Sequence, residues 1–201
     1  SFAPTGSGSS AAFWALDAIN GPATWAAVFR GRVQIQDGTQ ATGSVLTSDA
    51  FGNASWQSLP ATVAFKQVGA NGNLNVNAGT SVDINTWNVN EYNLGGGTYN
   101  AATGEYTVPV TGLYQVFAKT KTFGNAGTGF YNMNIKVNGI IVSAHSVPVS
   151  TNGIIQADAN SAIQLNAGDL VKIEFQNSST NNTTIPNWVT IDMEFSVNRI
   201  K

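Results

Sequence analysis

The side chains able to act as nucleophiles or proton carriers are few and scattered along this sequence of 201 residues. His145 is the single histidine, and Ser143 and Ser146 are its hydroxyl-bearing neighbours. A catalytic triad needs a nucleophile, a base and an orienting acid, and the G-x-S-x-G turn that presents a reactive serine does not occur here. We therefore interpret His145 as a structural or surface residue.

Two carboxylates offer a second chemistry. Asp192 and Glu194 are two residues apart in an alternating segment, so both lie on one face of a predicted strand. Paired carboxylates are the machinery of glycoside hydrolases. Same-face carboxylates on an outer strand are more often solvated, and we expect a non-enzymatic protein.

Metal and cofactor sites lack their usual sequence patterns. The chain has no cysteine, which excludes zinc-thiolate sites and disulfides. No calcium loop of the D-x-D-x-D-G type occurs, although Asp158 with Asn160, or the segment 71–77, could supply oxygen ligands. The glycines at 95–97 precede a turn and do not join a strand to a helix, so they predict a loop and not a phosphate site. We expect no metal and no cofactor.

Aromatic side chains beside asparagine-rich loops suit sugar binding, because rings stack on apolar sugar faces and amides bond to hydroxyl groups. Tyr92 and Trp188 are the candidates for such contacts. The alternative is that both rings belong to the core or to an interface.

The composition limits the partners. Charged residues make up 10% of the chain, against roughly 25% in an average globular domain, and the net charge is −2. No basic field is present to attract nucleic acid. No apolar run approaches the ~20 residues of a membrane span, so neither nucleic-acid binding nor membrane insertion is expected.

The elements that must position these residues are short strands. From residue 61 onward, alternating segments recur with turn residues between them. The segment 131–137 alternates, Asn138-Gly139 is a strong hairpin signal, and 189–197 alternates again. About ten strands without a helical pattern predict an all-β jelly-roll sandwich.

Two motifs carry a family resemblance. The first lies within 98–117, and the second is the turn L-x-x-G-D-x-V at 165–171. The residues that match are Tyr99, Asn100, Gly104, Tyr106, Pro109, Gly112 and Tyr114 in the first motif and Gly168 and Asp169 in the second. Over residues 61–201 the chain resembles the C1q/TNF-like jelly-roll head domain.

The strand predicted over 113–122 is apolar on both faces. Tyr114 and Val116 lie on one face, and Leu113 and Phe117 lie on the other. Such a strand is best explained by a second buried face. In the C1q/TNF family that face lines a three-fold interface, so the resemblance implies a homotrimer with Leu113 and Phe117 as candidates for its interface.

The chain before the head divides into two predicted parts. Residues 1–12 are rich in glycine, serine and alanine and predict a flexible linker or frayed terminus. Residues 13–60 contain a predicted hairpin around 51–53 and cannot close a core alone. The stretches 25–33 and 37–56 resemble modules of bacterial and phage fibre shafts, which implies a trimeric shaft or neck. An extension wrapped on its own domain is the alternative.

Together these interpretations predict the homotrimeric tip of a phage or virus spike or fibre. Its partners would be sister copies and a host surface receptor or glycan, bound by multivalent contact. It would lie on the virion surface or outside the cell. A bacterial surface adhesin, or a structural surface protein with the same head, is the alternative.

Overall fold

A computed structural model describes residues 34–59, 61–69, 72–124, 127–150, 153–186 and 192–200. Residue contacts divide the chain into two compact units, Ser1–Leu59 and Pro60–Lys201. The predicted linker and the first part of the predicted neck lie outside the described residues. Every regular element in the described part is a strand, as the sequence predicted. That part holds no helix of the length and apolar character needed to cross a membrane.

The first unit contains one antiparallel hairpin, formed by β1 (Ser44–Ser48) and β2 (Ala54–Ser58). Asp49 organises its turn, because one carboxylate oxygen accepts backbone hydrogen bonds from Phe51 at 2.9 Å and Asn53 at 2.8 Å. The predicted hairpin is therefore confirmed. No residue in 34–59 is buried, and Phe51 is 90% exposed.

The second unit is a two-layered β-sandwich. Its strands are β3 (Ala64–Val68), β4 (Leu74–Val76), β5 (Thr80–Asp83), β6 (Val89–Leu94), β7 (Thr98–Asn100), β8 (Glu105–Thr107), β9 (Gly112–Phe123), β10 (Phe130–Val137), β11 (Ile140–Pro148), β12 (Ile154–Leu165), β13 (Leu170–Asn177), β14 (Thr183–Ile185) and β15 (Glu194–Arg199). A five-stranded sheet has the order β12-β9-β15-β3-β6, and a six-stranded sheet has the order β11-β10-β13-β8-β7 with β5 also paired to β13. Strands β4 and β14 form a small separate ribbon.

The strand count of the second unit exceeds the expected number of about ten, because its described residues form thirteen strands. Four of these strands, β4, β7, β8 and β14, are only three residues long. Three residues do not give an alternation that can be recognised in a sequence. The last predicted strand is also shifted: it begins at Glu194, and 187–191 lie outside the described residues.

The core between the sheets is rich in aromatic rings. Phe65 stacks on Tyr106 with ring centroids 4.3 Å apart and meets the edge of Phe195 at 5.3 Å. Trp87 packs against Phe195 at 6.0 Å. Such rings bury large apolar areas, so this cluster contributes strongly to holding the two sheets together.

The predicted turn at Asn138-Gly139 is confirmed between β10 and β11. Both residues have positive φ angles, 51° for Asn138 and 81° for Gly139. Two consecutive positive φ angles characterise the type I′ turn, whose twist matches that of the flanking strands.

Candidate functional site

The two sequence motifs meet in the structure. Val108, in the first motif, accepts a hydrogen bond from the backbone nitrogen of Gly168 at 2.8 Å and donates one to the carbonyl oxygen of Asp169 at 2.9 Å. The Asp169 side chain accepts a hydrogen bond from the backbone nitrogen of Asn166 at 2.7 Å, which closes the second turn. The backbone of the first motif at Val108 is therefore joined to the turn of the second motif, although about sixty residues separate them in the chain.

The turn of the first motif spans Asn100 to Gly104. The backbone nitrogen of Gly104 donates to the carbonyl oxygen of Asn100 at 2.8 Å, and the Asn100 side chain accepts from the nitrogen of Ala102 at 3.0 Å. Gly104 has a φ of +73°, and a Cβ there would overlap the carbonyl oxygen of Ile84. Glycine is thus required both by the backbone conformation and by the close approach of the segment that precedes β6.

The outer face of the five-stranded sheet carries the predicted interface residues. Tyr114 and Val116 are fully buried in the core, whereas Leu113 is 39% exposed and Phe117 is half-buried on the opposite face. β9 therefore carries bulky apolar side chains on both of its faces, as the sequence predicted. Across the sheet, Phe117 is aligned with Ser196 on one side and Asn160 on the other.

Ion pairs cover much of the same outer face. Lys66 lies 2.9 Å from Glu91 and 3.6 Å from Glu194. Lys119 lies 3.8 Å from Glu194, and Lys121 pairs with Asp192. The hydrogen bond to Glu91 is the main cause that raises the pKa of Lys66. Three cations and three carboxylates thus pair on this face, which also carries Asp158 opposite Lys119.

These contacts explain the two carboxylates singled out in the sequence. Asp192 and Glu194 each face a lysine ammonium group and so have a structural role as ion-pair partners. A glycosidase pair instead flanks an open site in which one carboxyl group stays protonated. Among the described residues, Asp192 and Glu194 instead face Lys121 and Lys119.

His145 forms no triad with its neighbouring serines. Its Nδ1 lies 2.8 Å from the backbone oxygen of Asp158, and its side chain is 55% exposed. Ser146 donates its hydroxyl hydrogen bond to Asn132 instead. Within the described ranges, no group of three or more histidine, cysteine, aspartate or glutamate side chains is arranged to hold a metal ion.

A groove at the side of the sandwich was not predicted from the sequence. It has a volume of about 500 Å³, and we call it the side groove; it is lined by Gln67, Asn85, Thr86, Trp87, Asn88, Asn90, Tyr99 and Ala101. Trp87 is only 2% exposed. Its indole Nε1 has no hydrogen-bond partner in the described part of the chain, and the same holds for the hydroxyl groups of Thr86 and Tyr99.

Comparisons with known proteins identify the fold. No protein-family model and no curated protein matches the sequence. Among solved structures, the TNF protein Eiger from S. frugiperda is similar with a TM-score of 0.52 and 14% identity, over 71% of this chain and 94% of that one. The globular domain of the zebrafish complement 1qA protein is similar with a TM-score of 0.50 and 15% identity, over 69% of this chain and 98% of that one.

The sandwich is a C1q/TNF-like jelly roll. The resemblance carried by the two motifs is therefore confirmed at the level of the fold. The likeness of the N-terminal stretches to fibre shafts stays a prediction.

Of the two sugar-binding candidates, only Tyr92 lies in the described part of this C1q/TNF-like fold. Tyr92 lies on β6, opposite Lys66, is 37% exposed and is not among the residues that line the side groove. Trp188 lies outside the described residues. The signal that sequence analysis missed was the run of amides in the segment 85–90, NTWNVN, which supplies three of the groove's side-chain amides.

Proposed function

We propose that this protein is the non-enzymatic, homotrimeric head of a phage or virus spike or fibre. It binds a host-cell receptor or glycan through three equivalent contacts. The observation that carries the proposal is the outer face of the five-stranded sheet, which holds the apolar side chains of Leu113 and Phe117 together with a set of lysine–carboxylate ion pairs. Because its three lysines already have carboxylate partners, sister copies can cover this face without leaving a buried ammonium group unpaired, which would be costly.

The number three comes from the fold. C1q/TNF-like domains usually form homotrimers. The candidate interface residues of this chain, Leu113 and Phe117, lie on β9 of the five-stranded sheet. Further apolar side chains on its edge strand β6 are exposed, with Leu94 at 53%. Trimer formation would remove this apolar area from water, a gain of roughly 25 cal/mol per Å².

We propose that the first unit is part of a trimeric shaft. Phe51 in the hairpin turn is 90% exposed, Leu59 after the hairpin is 60% exposed, and none of residues 34–59 is buried. An isolated two-stranded hairpin is marginally stable in water. Equivalent hairpins from sister chains would supply the missing contacts, as in the fibre modules that this stretch resembles.

Three heads on one stalk raise the strength of a weak contact. Once one head is bound, the others meet their sites at a high effective concentration, and avidity can exceed single-site affinity by 10² to 10⁴ (roughly). No catalytic group is required for this gain.

Light scattering of the full chain tests the assembly. A trimer of 21.0 kDa chains has a mass of 63 kDa, and a mass of 21.0 kDa at micromolar concentration would contradict the proposal. Attachment is tested by adding the labelled protein to a panel of bacterial cells and by measuring whether it blocks particle adsorption. Capsid and tail genes beside the coding sequence would support the viral role, and secretion genes would support an adhesin instead.

A further inference from the structure

We propose that the side groove is a binding site for a neutral saccharide, which would be the chemical element that each head recognises. This inference deepens the proposed function and rests on it. The groove's volume of about 500 Å³ falls within the range of roughly 300 to 1,000 Å³ that is usual for small-molecule sites.

Three residues of the groove lining carry buried polar atoms without a partner in the described part of the chain. The Trp87 side chain is 98% buried, yet its indole nitrogen, a donor only, has no acceptor in the described part of the chain. The hydroxyl groups of Thr86 and Tyr99, also in the groove lining, are buried without a partner among the described residues. These three atoms are themselves shielded from solvent. A ligand would therefore bond to the exposed amides of the lining, and the Trp87 indole would report its presence nearby.

The lining defines the charge of the ligand. None of its eight residues is charged. An anionic or cationic ligand would lose its hydration without gaining an opposite charge, which is unfavourable. A neutral ligand does not meet this cost.

The lining also defines the polar groups of the ligand. Gln67, Asn85, Asn88 and Asn90 bring four side-chain amides, each of which can donate and accept. A sugar hydroxyl likewise donates and accepts, so the two kinds of group match. A peptide would instead anchor through apolar side chains, and Ala101 is the only aliphatic residue in the lining.

The walls of the groove are held in place before any ligand binds. The Asn85 amide nitrogen donates to the backbone oxygen of Ala102 at 3.1 Å, and the backbone nitrogen of Ile84 donates to Ile173 at 2.8 Å. Gly104 packs against the same segment. A fixed site loses little conformational entropy on binding, which favours affinity.

The test uses the full chain labelled with ¹⁵N and follows its five tryptophan indole resonances. The probes are neutral di- and trisaccharides of hexoses and N-acetylhexosamines, with glucuronate-containing oligosaccharides and an uncharged peptide for comparison. The Trp87 resonance is assigned by its loss in Trp87→Phe or, if that variant does not fold, by nuclear Overhauser contacts to the ring of Phe195. We expect at least one neutral saccharide, and neither comparison ligand, to shift this resonance.

Two exposed amides of the groove provide the variant. Asn88→Ala combined with Asn90→Ala removes two hydrogen-bonding groups worth about 1 kcal/mol each, so the Kd should rise by about 10- to 30-fold. Asn166→Ala, an exposed amide in the turn between β12 and β13, is the matched control and should leave the Kd unchanged. A Trp87 resonance that no saccharide moves, a preference for the charged sugars or the peptide, or equal affinities of the two variants would overturn the proposal.

The outcomes separate this site from the wider function. Cell attachment that survives unchanged in the Asn88/Asn90 variant would overturn the saccharide site and leave the attachment role standing. Saccharide binding at Trp87 in a protein that attaches to no cell and blocks no adsorption would support the site and contradict that role.

Discussion

Gly97 lies directly against the phenol of Tyr106, so closely that a Cβ at position 97 would overlap the hydroxyl end of that ring. Tyr106 is fully buried and stacked on Phe65, so the ring has no room to move away. We expect Gly97→Ala to lower the free energy of unfolding by about 1–3 kcal/mol, the usual cost of overpacking. Urea unfolding followed by circular dichroism measures this change.

The hydroxyl group of Tyr106 provides the matched second variant. It has no hydrogen-bond partner among the described residues, and burial raises the pKa of Tyr106 to about 12. Tyr106→Phe alone should therefore change stability by less than about 1 kcal/mol. In the double variant, Gly97→Ala with Tyr106→Phe, loss of the hydroxyl group should relieve part of the overlap. If the losses in unfolding free energy of the two single variants simply add, the contact is contradicted.

Asn138 joins two turns of the jelly roll, and its removal tests that junction. Its amide nitrogen donates to Asp169 Oδ1 at 2.9 Å, and its Oδ1 accepts from the backbone nitrogen of Leu170 at 2.9 Å. Asn138→Ala loses both bonds and a residue type that tolerates positive φ, so we expect a loss of about 2–4 kcal/mol in unfolding free energy. Asn138→Gly keeps the backbone freedom and should cost about 1–3 kcal/mol from the bonds.

Asp169→Ala completes a double-mutant cycle with Asn138→Ala. Both single variants break the same side-chain contact, so the double variant should cost less than their sum. Additive losses in urea unfolding would show that the two turns are stabilised independently. The cycle thus tests whether Asp169, the carboxylate that follows Gly168 in the second motif, stabilises the fold through its contact with Asn138.

The sequence predicted the parts of this molecule that depend on local turn chemistry. Gly104 and the Asn138-Gly139 pair occupy positive-φ positions, where few other residues fit, so their types alone indicate turns. The alternation of Leu113 and Tyr114 across β9 follows from strand geometry in the same way.

The parts that depend on strand order were not predictable. The side groove brings Gln67 beside Asn85 and Tyr99, and only the final strand pairing decides that neighbourhood. The same is true of a cluster of ion pairs on the six-stranded sheet. Its members come from four strands and are Asp83, Glu105, Lys136, Lys172 and Glu174.

That cluster makes the protein sensitive to acid. Asp83 lies 3.0 Å from Lys136 and 2.7 Å from Lys172, and Glu174 lies 3.0 Å from Lys136 and accepts a bond from Asn134 at 2.9 Å. Burial acts to raise the pKa of Asp83 and of Glu174, but the hydrogen bonds from their partners outweigh it. Both pKa values are therefore held below the ordinary 3.8 and 4.5.

A lowered folded pKa means that the unfolded chain binds protons more readily than the native state. The stabilisation is complete above the ordinary pKa values and is lost as the pH falls below about 4.5 and then through the folded values. We expect the urea midpoint to fall on acidification from pH 7 to pH 3, and to fall less in Asp83→Asn combined with Glu174→Gln. Glu91→Gln is the control, because it removes a carboxylate that is more exposed than Asp83 and Glu174. Equal acid dependence in the unsubstituted protein, the double variant and the control would contradict this account.

The outer face of the five-stranded sheet gives the sharpest test of assembly. Leu113 and Phe117 lie on this face with only Gln115 between them on the same side, and their removal leaves the core residues Tyr114 and Val116 in place. Leu113→Asp combined with Phe117→Asp would bury unpaired charges between copies, at a cost of several kcal/mol each. We expect the mass in light scattering to fall from 63 kDa to the single-chain 21.0 kDa while circular dichroism stays unchanged. Phe130→Asp is the control, because it changes an apolar side chain that is 52% exposed on β10 of the six-stranded sheet. It should leave the mass at 63 kDa. Loss of the trimer in this variant alone would place the interface on the six-stranded sheet.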